Sequence, residues 1–360
     1  MGVGGLAGRK KEKKAEYVDA DVAYRIKKLI DHVYLLGDGL AFSLDKTTEE
    51  ISGGYKLTKS FTISKQGELQ KLALVYLVPE NLSNLGIQLF DYNYGHILVP
   101  VKGNLEKARG KDEPKENILG RAGTDKIQLA VLALNLQPDY LGKAAPKGWR
   151  YAVVLLSGKS LSGGSVLNIV QFKPKQYTWV ETDGGYLYYC SNSSTAVNGY
   201  VRFTPEVYQF QELAFLVPEK AVNFRLGVRT QNQVLNLDLS KKPLKGMPEA
   251  IAFHRDGDVM EVLVFGVRKE QGKHIVDLGL RSLSKRSGLD IQTNQQFFLK
   301  VGDEEFKVDS PATASLLFHP PDPFILPPGV ALRFELAFNT GDVPTSLRFR
   351  GFRSEGALKF

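Results

Sequence analysis

The sequence predicts an all-β protein built of tandem two-layer sandwiches, and three observations predict it. From about residue 40 onward, short segments alternate apolar and polar residues, the period of a strand with one buried face. Turn formers and strand formers are both abundant, with 35 Gly and 17 Pro beside 20 Phe and 15 Tyr in 360 residues, a mixture that suits many strands joined by tight turns. One phrase also occurs twice, 139 residues apart: "LVYLVPENLSNLGI" at 74–87 and "LAFLVPEKAVNFRL" at 213–226. A period that long carries several strands, so it points to duplicated domains rather than small solenoid units. An apolar content of 43% supplies packed cores and excludes a disordered chain.

In chain order, residues 1–18 read as a flexible basic head holding Arg9, Lys10, Lys11, Lys13 and Lys14 against Glu12. In "DADVAYRIKKLIDHVYLL", Val22, Ile26, Leu29, Ile30 and Val33 recur at helical spacing. They predict a short N-terminal helix capped by Asp19 or Asp21, with a strand after Lys28 as the alternative. "YKLTKSFTISKQGELQKLALVYLVP" alternates as strands do, and "GIQLFDYNYGHILVPV" reads as a hairpin turning at Asn93-Tyr94-Gly95. The β-rich first unit, 19–104, shows no clear opening strands and reads as a partial sandwich. Residues 105–123 are charged, poor in β-branched residues and contain Pro114, the composition of a linker.

A sandwich over 124–244 follows. "KIQLAVLALNLQ" and "WRYAVVLLSG" are its long apolar strands, and "QYTWVETDGGYLYYCSN" is a hairpin with Asp183-Gly184-Gly185 at its tip. After the boundary stretch "KKPLKGMPEA", a second sandwich over 245–360 contains "DVMEVLVFGVRKE", "HIVDLGLRSLS", "QQFFLKVG", "EEFKVDS" and "VALRFELAF" as strands. Turn residues at regular intervals favour a sandwich over βαβ units.

The repeated phrase has a physical reading. Leu213, Phe215 and Val217 share one strand face. Pro218 has no N–H to donate and ends the ladder. After a polar turn, Phe224, Leu226 and Val228 return to the core face. Near the chain's end, "LRFELAFNTGDVPTSLRFRGF" puts Phe338 where the copies have Phe215 and Tyr76.

These segments carry a family resemblance. "GWRYAVVLL", "VETDGGYLYY" and "ELAFLVP…NFRLGV" in the second block, and "DEEFKVDS…ILPPGVALRFELAF" in the third, resemble the telokin-like, immunoglobulin-fold domains of bacterial envelope proteins and lipoproteins. The resemblance covers most of 124–240, the second half of 251–360 and the second half of the first block. The second block lacks the "LPPG" of the third. The resemblance implies tandem immunoglobulin-like sandwiches with a binding or scaffolding role, and it supplies no catalytic residues.

Residue chemistry adds little to this. The glycines of "GVGGLAG" follow no strand, as a dinucleotide site would require. None of His32, His96, His254, His274 and His319 has a second His or Cys at ligand spacing. "HRDGD" at 254–258 reads as a turn rather than a Ca²⁺ loop. With one cysteine, Cys190, no intramolecular disulfide exists. No catalytic constellation, metal site or cofactor is expected.

The candidate ligand surface is the aromatic hairpin: Tyr177 and Trp179 on one strand face, Tyr186 and Tyr188 on one face of the returning strand, suited to a sugar ring or a protein if exposed. The basic head, in a chain of net charge +8, is the candidate contact for an anionic partner. The functional expectation is a non-enzymatic structural or protein-interaction protein of the cell envelope or another assembled structure, self-assembly through edge strands included. The alternatives are a carbohydrate-binding module using 177–189 and anionic-surface or nucleic-acid contact through the head, with nucleic acid disfavoured. No apolar run approaches the roughly 18 residues of a membrane helix. A secreted or envelope location follows if a signal was removed, and a cytoplasmic one otherwise.

Overall fold

The computed structural model describes residues 24–26, 28–52, 55–63, 71–91, 95–109, 114, 118–161, 169–205, 207–230, 233–285, 287–319 and 322–360. The basic head and the Asn93-Tyr94 tip lie outside them. The described chain is all-β, with a few helices of one turn.

Unit one holds β1 (Tyr24–Ile26), β2 (Val33–Gly37), β3 (Leu40–Ser43), β4 (Phe61–Ile63), β5 (Leu85–Asp91) and β6 (Gly95–Lys102). Its helices are α1 (Thr47–Ile51) and α2 (Leu105–Ala108). Unit two holds β7 (Gly120–Gly123), β8 (Ile127–Gln137), β9 (Asp139–Tyr140), β10 (Lys143–Ala144), β11 (Trp149–Ser160), β12 (Val170–Phe172), α3 (Pro174–Tyr177), β13 (Thr178–Thr182), β14 (Leu187–Asn192), β15 (Val201–Phe203), β16 (Gln209–Pro218), β17 (Phe224–Arg229) and β18 (Val234–Asp238). Unit three holds β19 (Ala252–Asp256), β20 (Met260–Glu270), β21 (Lys273–Ser282), β22 (Leu289–Ile291), α4 (Thr293–Gln296), β23 (Phe297–Val301), β24 (Glu304–Lys307), α5 (Ser310–Ala314), β25 (Phe324–Leu326), β26 (Ala331–Phe338), β27 (Ser346–Arg350) and β28 (Glu355–Lys359).

Units two and three share one pairing scheme. Unit three stacks the sheet β19-β20-β21-β26 over β24-β23-β27-β28, with the small pair β22-β25 at one side. Unit two repeats this strand for strand: β7-β8-β11-β16 over β14-β13-β17-β18, with β12-β15 beside them. In both, a one-turn helix leads into the first strand of the second sheet. Apolar residues from the two layers interdigitate. Leu213, Phe215, Val217, Phe224, Leu226 and Val228 are all buried together in unit two, and Phe297, Phe334, Phe338 and Phe349 in unit three.

Unit one keeps half of the scheme. Its sheet β3-β2-β5-β6 has the order of β14-β13-β17-β18, and β1-β4 corresponds to β12-β15. Among the described residues nothing corresponds to the β7-β8-β11 layer. The segment Lys71–Pro79 stands where β16 stands in unit two, yet it forms a bridge rather than a ladder. Tyr76 pairs antiparallel with Leu44. Phe215 pairs with Cys190 and Phe338 with Val308, in each case one residue beyond the last ladder pair of the preceding hairpin. The three aromatic residues therefore occupy one position in one scheme. The strand expected at 71–79 does not extend, and no described residue supplies the partner that β11 provides to β16.

Two further expectations are corrected. Residues 24–36 do not form a helix: β1, a single 3₁₀ turn at Leu29–Asp31 and β2 replace it. That one turn, placed like α3 and α4, puts Leu29 and Ile30 into the unit-one core and accounts for the helical spacing. The stretch 105–123 is not wholly linker. Ala108 of α2 is buried, and β7 pairs with β8 as the opening strand of unit two.

Candidate interaction surfaces

The aromatic hairpin is an interface between units. Trp179 is only 2% exposed and belongs to the buried cluster of unit three, with Leu187 beside it and Tyr189 packed against it. Val180, the next residue on the strand, faces the core of its own unit. Gly227 lies beneath the indole, and a Cβ there would sit 2.3 Å from Trp179 Cε2. Tyr186 stacks on Phe318 with ring centroids 3.9 Å apart, while Arg333 covers it at 4.7 Å. Tyr188 turns to the unit-two core and meets Trp149 edge-on. Tyr177 closes α3 and packs against that same core, with Arg229 over its ring. The expected flat aromatic platform does not form: Tyr177 ends α3 and Tyr186 precedes β14, so neither shares a strand face with the aromatic residue two positions on, and unit three covers Trp179 and Tyr186 while Tyr177 and Tyr188 pack on the unit-two core. A sugar ring has no open Trp179 face to stack on.

The two junctions in the chain are built alike. At the first, Gln209 of β16 pairs in parallel with Ala41 of β3, and Ala41 N–H donates to Tyr208 O at 2.8 Å. At the second, Arg333 of β26 pairs in parallel with Tyr186, next to β14, and Arg333 N–H donates to Gly185 O at 3.0 Å. Tyr34, the second residue of β2, is buried with Val207 of the next unit, just as Trp179, the second residue of β13, is buried against unit three. The small β-pair of the following unit takes part each time. Arg202 of β15 lies 3.4 Å from the Asp31 carboxylate, and Tyr189 donates to the carbonyl of Ile325 in β25 at 3.2 Å. Asp31 is desolvated, which raises its pKa, and the neighbouring Arg202 and Lys28 oppose that rise. Arg333 anchors the second junction: its guanidinium forms a bidentate pair with Asp277 at 2.9 and 2.5 Å.

The equivalent face of unit three is lined by its own charged side chains. Phe298, the second residue of β23, is covered by the Arg350 guanidinium at 4.2 Å. Arg348 there pairs with Glu305 and Glu355, and Arg350 with Glu305. The acidic "DEE" run is thus part of an ion-paired face.

The repeated phrase keeps one further residue for a reason. Asn84 and Asn223 each donate through Nδ2 to an aspartate in the turn of the neighbouring hairpin: Asp38 at 2.8 Å and Asp183 at 2.7 Å. Asp38 also accepts from the Ser83 and Asn84 backbone N–H groups, and Asp183 accepts from Lys245 N–H. Lys245 N–H and the Asn223 amide hold the Asp183 carboxyl below its ordinary range. Burial works against the same effect at Asp38, yet the donors from Ser83 and Asn84 win. A depressed carboxylate pKa adds stability above the unfolded value of about 3.9 and loses it as pH falls through the lower folded value. Asp183→Ala is therefore expected to flatten the acid arm of a urea-midpoint-against-pH curve below about pH 4. An unchanged arm would remove these clasps from the account.

Sequence reasoning missed the junction residues Tyr34, Val207, Phe318 and Arg333, since nothing in a lone strand says what covers its outer face. Asp256 of "HRDGD" accepts the backbone N–H groups of Phe352, Arg353 and Ser354, so it clamps the β27–β28 turn. Cys190 is buried, and that burial pushes its thiol up to about 12. Among the described residues no three His, Cys, Asp or Glu side chains gather as a metal site needs, and no helix is long and apolar enough to cross a membrane. The charged head residues Arg9, Lys10, Lys11, Lys13 and Lys14 lie outside the described residues. No family model, curated protein or solved structure matches this chain.

Proposed function

We propose that this is a non-enzymatic structural or protein-interaction protein: tandem immunoglobulin-like sandwiches, stacked one way, that present binding faces within the cell envelope or another assembled structure. One observation carries the reading. Both junctions use the same strand positions, a parallel backbone contact and a buried aromatic anchor, so the units are locked together rather than tethered. A locked array holds its exposed faces at fixed spacing, as a scaffold must, and repeat proteins use such stacking to build extended binding surfaces. The resemblance to telokin-like domains of envelope proteins supports the same role and suggests the setting.

The test is chemical crosslinking in extracts of the native host, read by mass spectrometry alongside light scattering of the purified chain. The expected result is crosslinks from this chain to a defined set of neighbours, present before purification and reproducible. A chain that stays monomeric and crosslinks to nothing would contradict the proposal.

A further inference from the structure

Among the described residues no second layer covers the apolar core face of unit one. In unit two, β18 packs Leu235 and Leu237 under the covering sheet, at 6% and 1% exposure. They pair with Val228 and Leu226 of β17. The corresponding pairs in unit one are Ile97 with Leu89 and Val99 with Ile87. Ile97 is 39% exposed, Val99 48% and Val101 55%. Leu89 and Ile87 are half-buried, as is Leu35, whose counterpart Val180 is fully buried. The same sequence pattern thus makes a core in unit two and a surface in unit one.

Beside this face lies a backbone edge without a ladder. In unit two, β16 is paired along its length by β11, from Gln209 with Gly158 to Pro218 with Trp149. In unit one, Lys71–Pro79 is held on one side only among the described residues. Val75 exchanges hydrogen bonds with Thr48 and accepts from Asp45 N–H, and Ser52 Oγ donates to Ala73 O at 2.5 Å. No strand pairs with its other edge among the described residues. An open strand edge next to an uncovered apolar face is the arrangement that β-strand addition uses: backbone bonds supply affinity and alternate side chains fill the floor.

We propose that unit one binds an extended β-hairpin of a partner polypeptide, with apolar residues at every second position. The hairpin pairs antiparallel with Leu72–Val78 and covers Ile87, Leu89, Ile97 and Val99. The inference rests on the reading of the protein as an interaction scaffold and names its docking site. Continuity with units two and three specifies the occupant, because a strand in antiparallel register already fills this position twice in the same chain. A second copy is the poorer fit. Its own covering strands are engaged in units two and three, and two open faces laid together leave the edge of Leu72–Val78 unpaired.

The test uses the full chain and a labelled synthetic peptide of residues 127–160, the β8–β11 hairpin of this protein, as the probe. Binding is read by fluorescence anisotropy and by amide exchange of 71–79. The expected result is saturable binding, protection of 71–79 in the complex, and at least a tenfold loss of affinity in Ile97→Lys/Val99→Lys. Val343→Lys, at a site 82% exposed in unit three, should bind as wild type does. Both substitutions sit at exposed positions, and unchanged circular dichroism confirms folding. The proposal is overturned by no binding to the wild-type chain, by equal binding to the double variant, by a wild-type dimer that the double variant dissociates, or by binding that emerges only after residues 1–23 are deleted. Any of these leaves the crosslinking test of the scaffold reading standing, so the two failures are distinguishable.

Discussion

Replacing Trp179 with alanine is expected to lower stability by about 3–5 kcal/mol, the range for deleting a buried large aromatic. The indole sits on unit two but fills the core of unit three, so the cavity opens at the junction and weakens both units. In urea, one cooperative transition should become two, with unit three unfolding first. Gly227→Ala attacks the same contact from below. With its Cβ 2.3 Å from the indole, the ring must leave its position, and overpacking of this kind costs about 1–3 kcal/mol or more. Native Trp179 should also resist iodide quenching while Trp149, half-buried at the start of β11, does not. A Trp179→Ala protein with unchanged urea midpoint would remove the anchor from the junction.

The second large effect separates the three equivalent aromatics. Phe215 and Phe338 are fully buried in complete cores, and truncating either to alanine should cost about 3–5 kcal/mol. Tyr76 occupies the same position in the pairing scheme but lies under an open unit, and its buried hydroxyl has no hydrogen-bond partner among the described residues. Tyr76→Phe removes a polar group that burial penalises. It should therefore be neutral or stabilising, by up to about 1 kcal/mol. Differential scanning calorimetry of Phe215→Ala, Phe338→Ala, Tyr76→Phe and Tyr76→Ala measures this. Equal losses at Tyr76→Ala and Phe215→Ala would mean that the first core is as closed as the second.

Much of the fold was legible because the signals were local. The hairpin of β5 and β6, the strands of unit three and the core face of Leu213, Phe215 and Val217 all follow from alternation and turn chemistry. The repeat was legible because the phrase around Phe215 fills one place in the pairing scheme, and its asparagine clasps a turn aspartate in each of two units, Asn84 on Asp38 and Asn223 on Asp183. The junctions were not legible. Alternation in "TWVET" shows that the strand has two faces, but not that Trp179 on the outer face meets another unit. For the same reason the aromatic hairpin resembled a ligand platform. The helix expected near Val22–Val33 misled because one 3₁₀ turn between two short strands reproduces helical spacing over a few residues.

The central claim is that one pairing scheme occurs three times and that, among the described residues, its first instance lacks a covering layer. Native-state amide exchange of the isolated chain tests it most directly, because protection reports burial and pairing strand by strand. The account predicts that Val33–Gly37 and Leu85–Asp91 exchange at least about a hundredfold faster than their counterparts Thr178–Thr182 and Phe224–Arg229, in keeping with the spread of local opening energies within one protein. Equal, high protection of both sets in the monomer would contradict it.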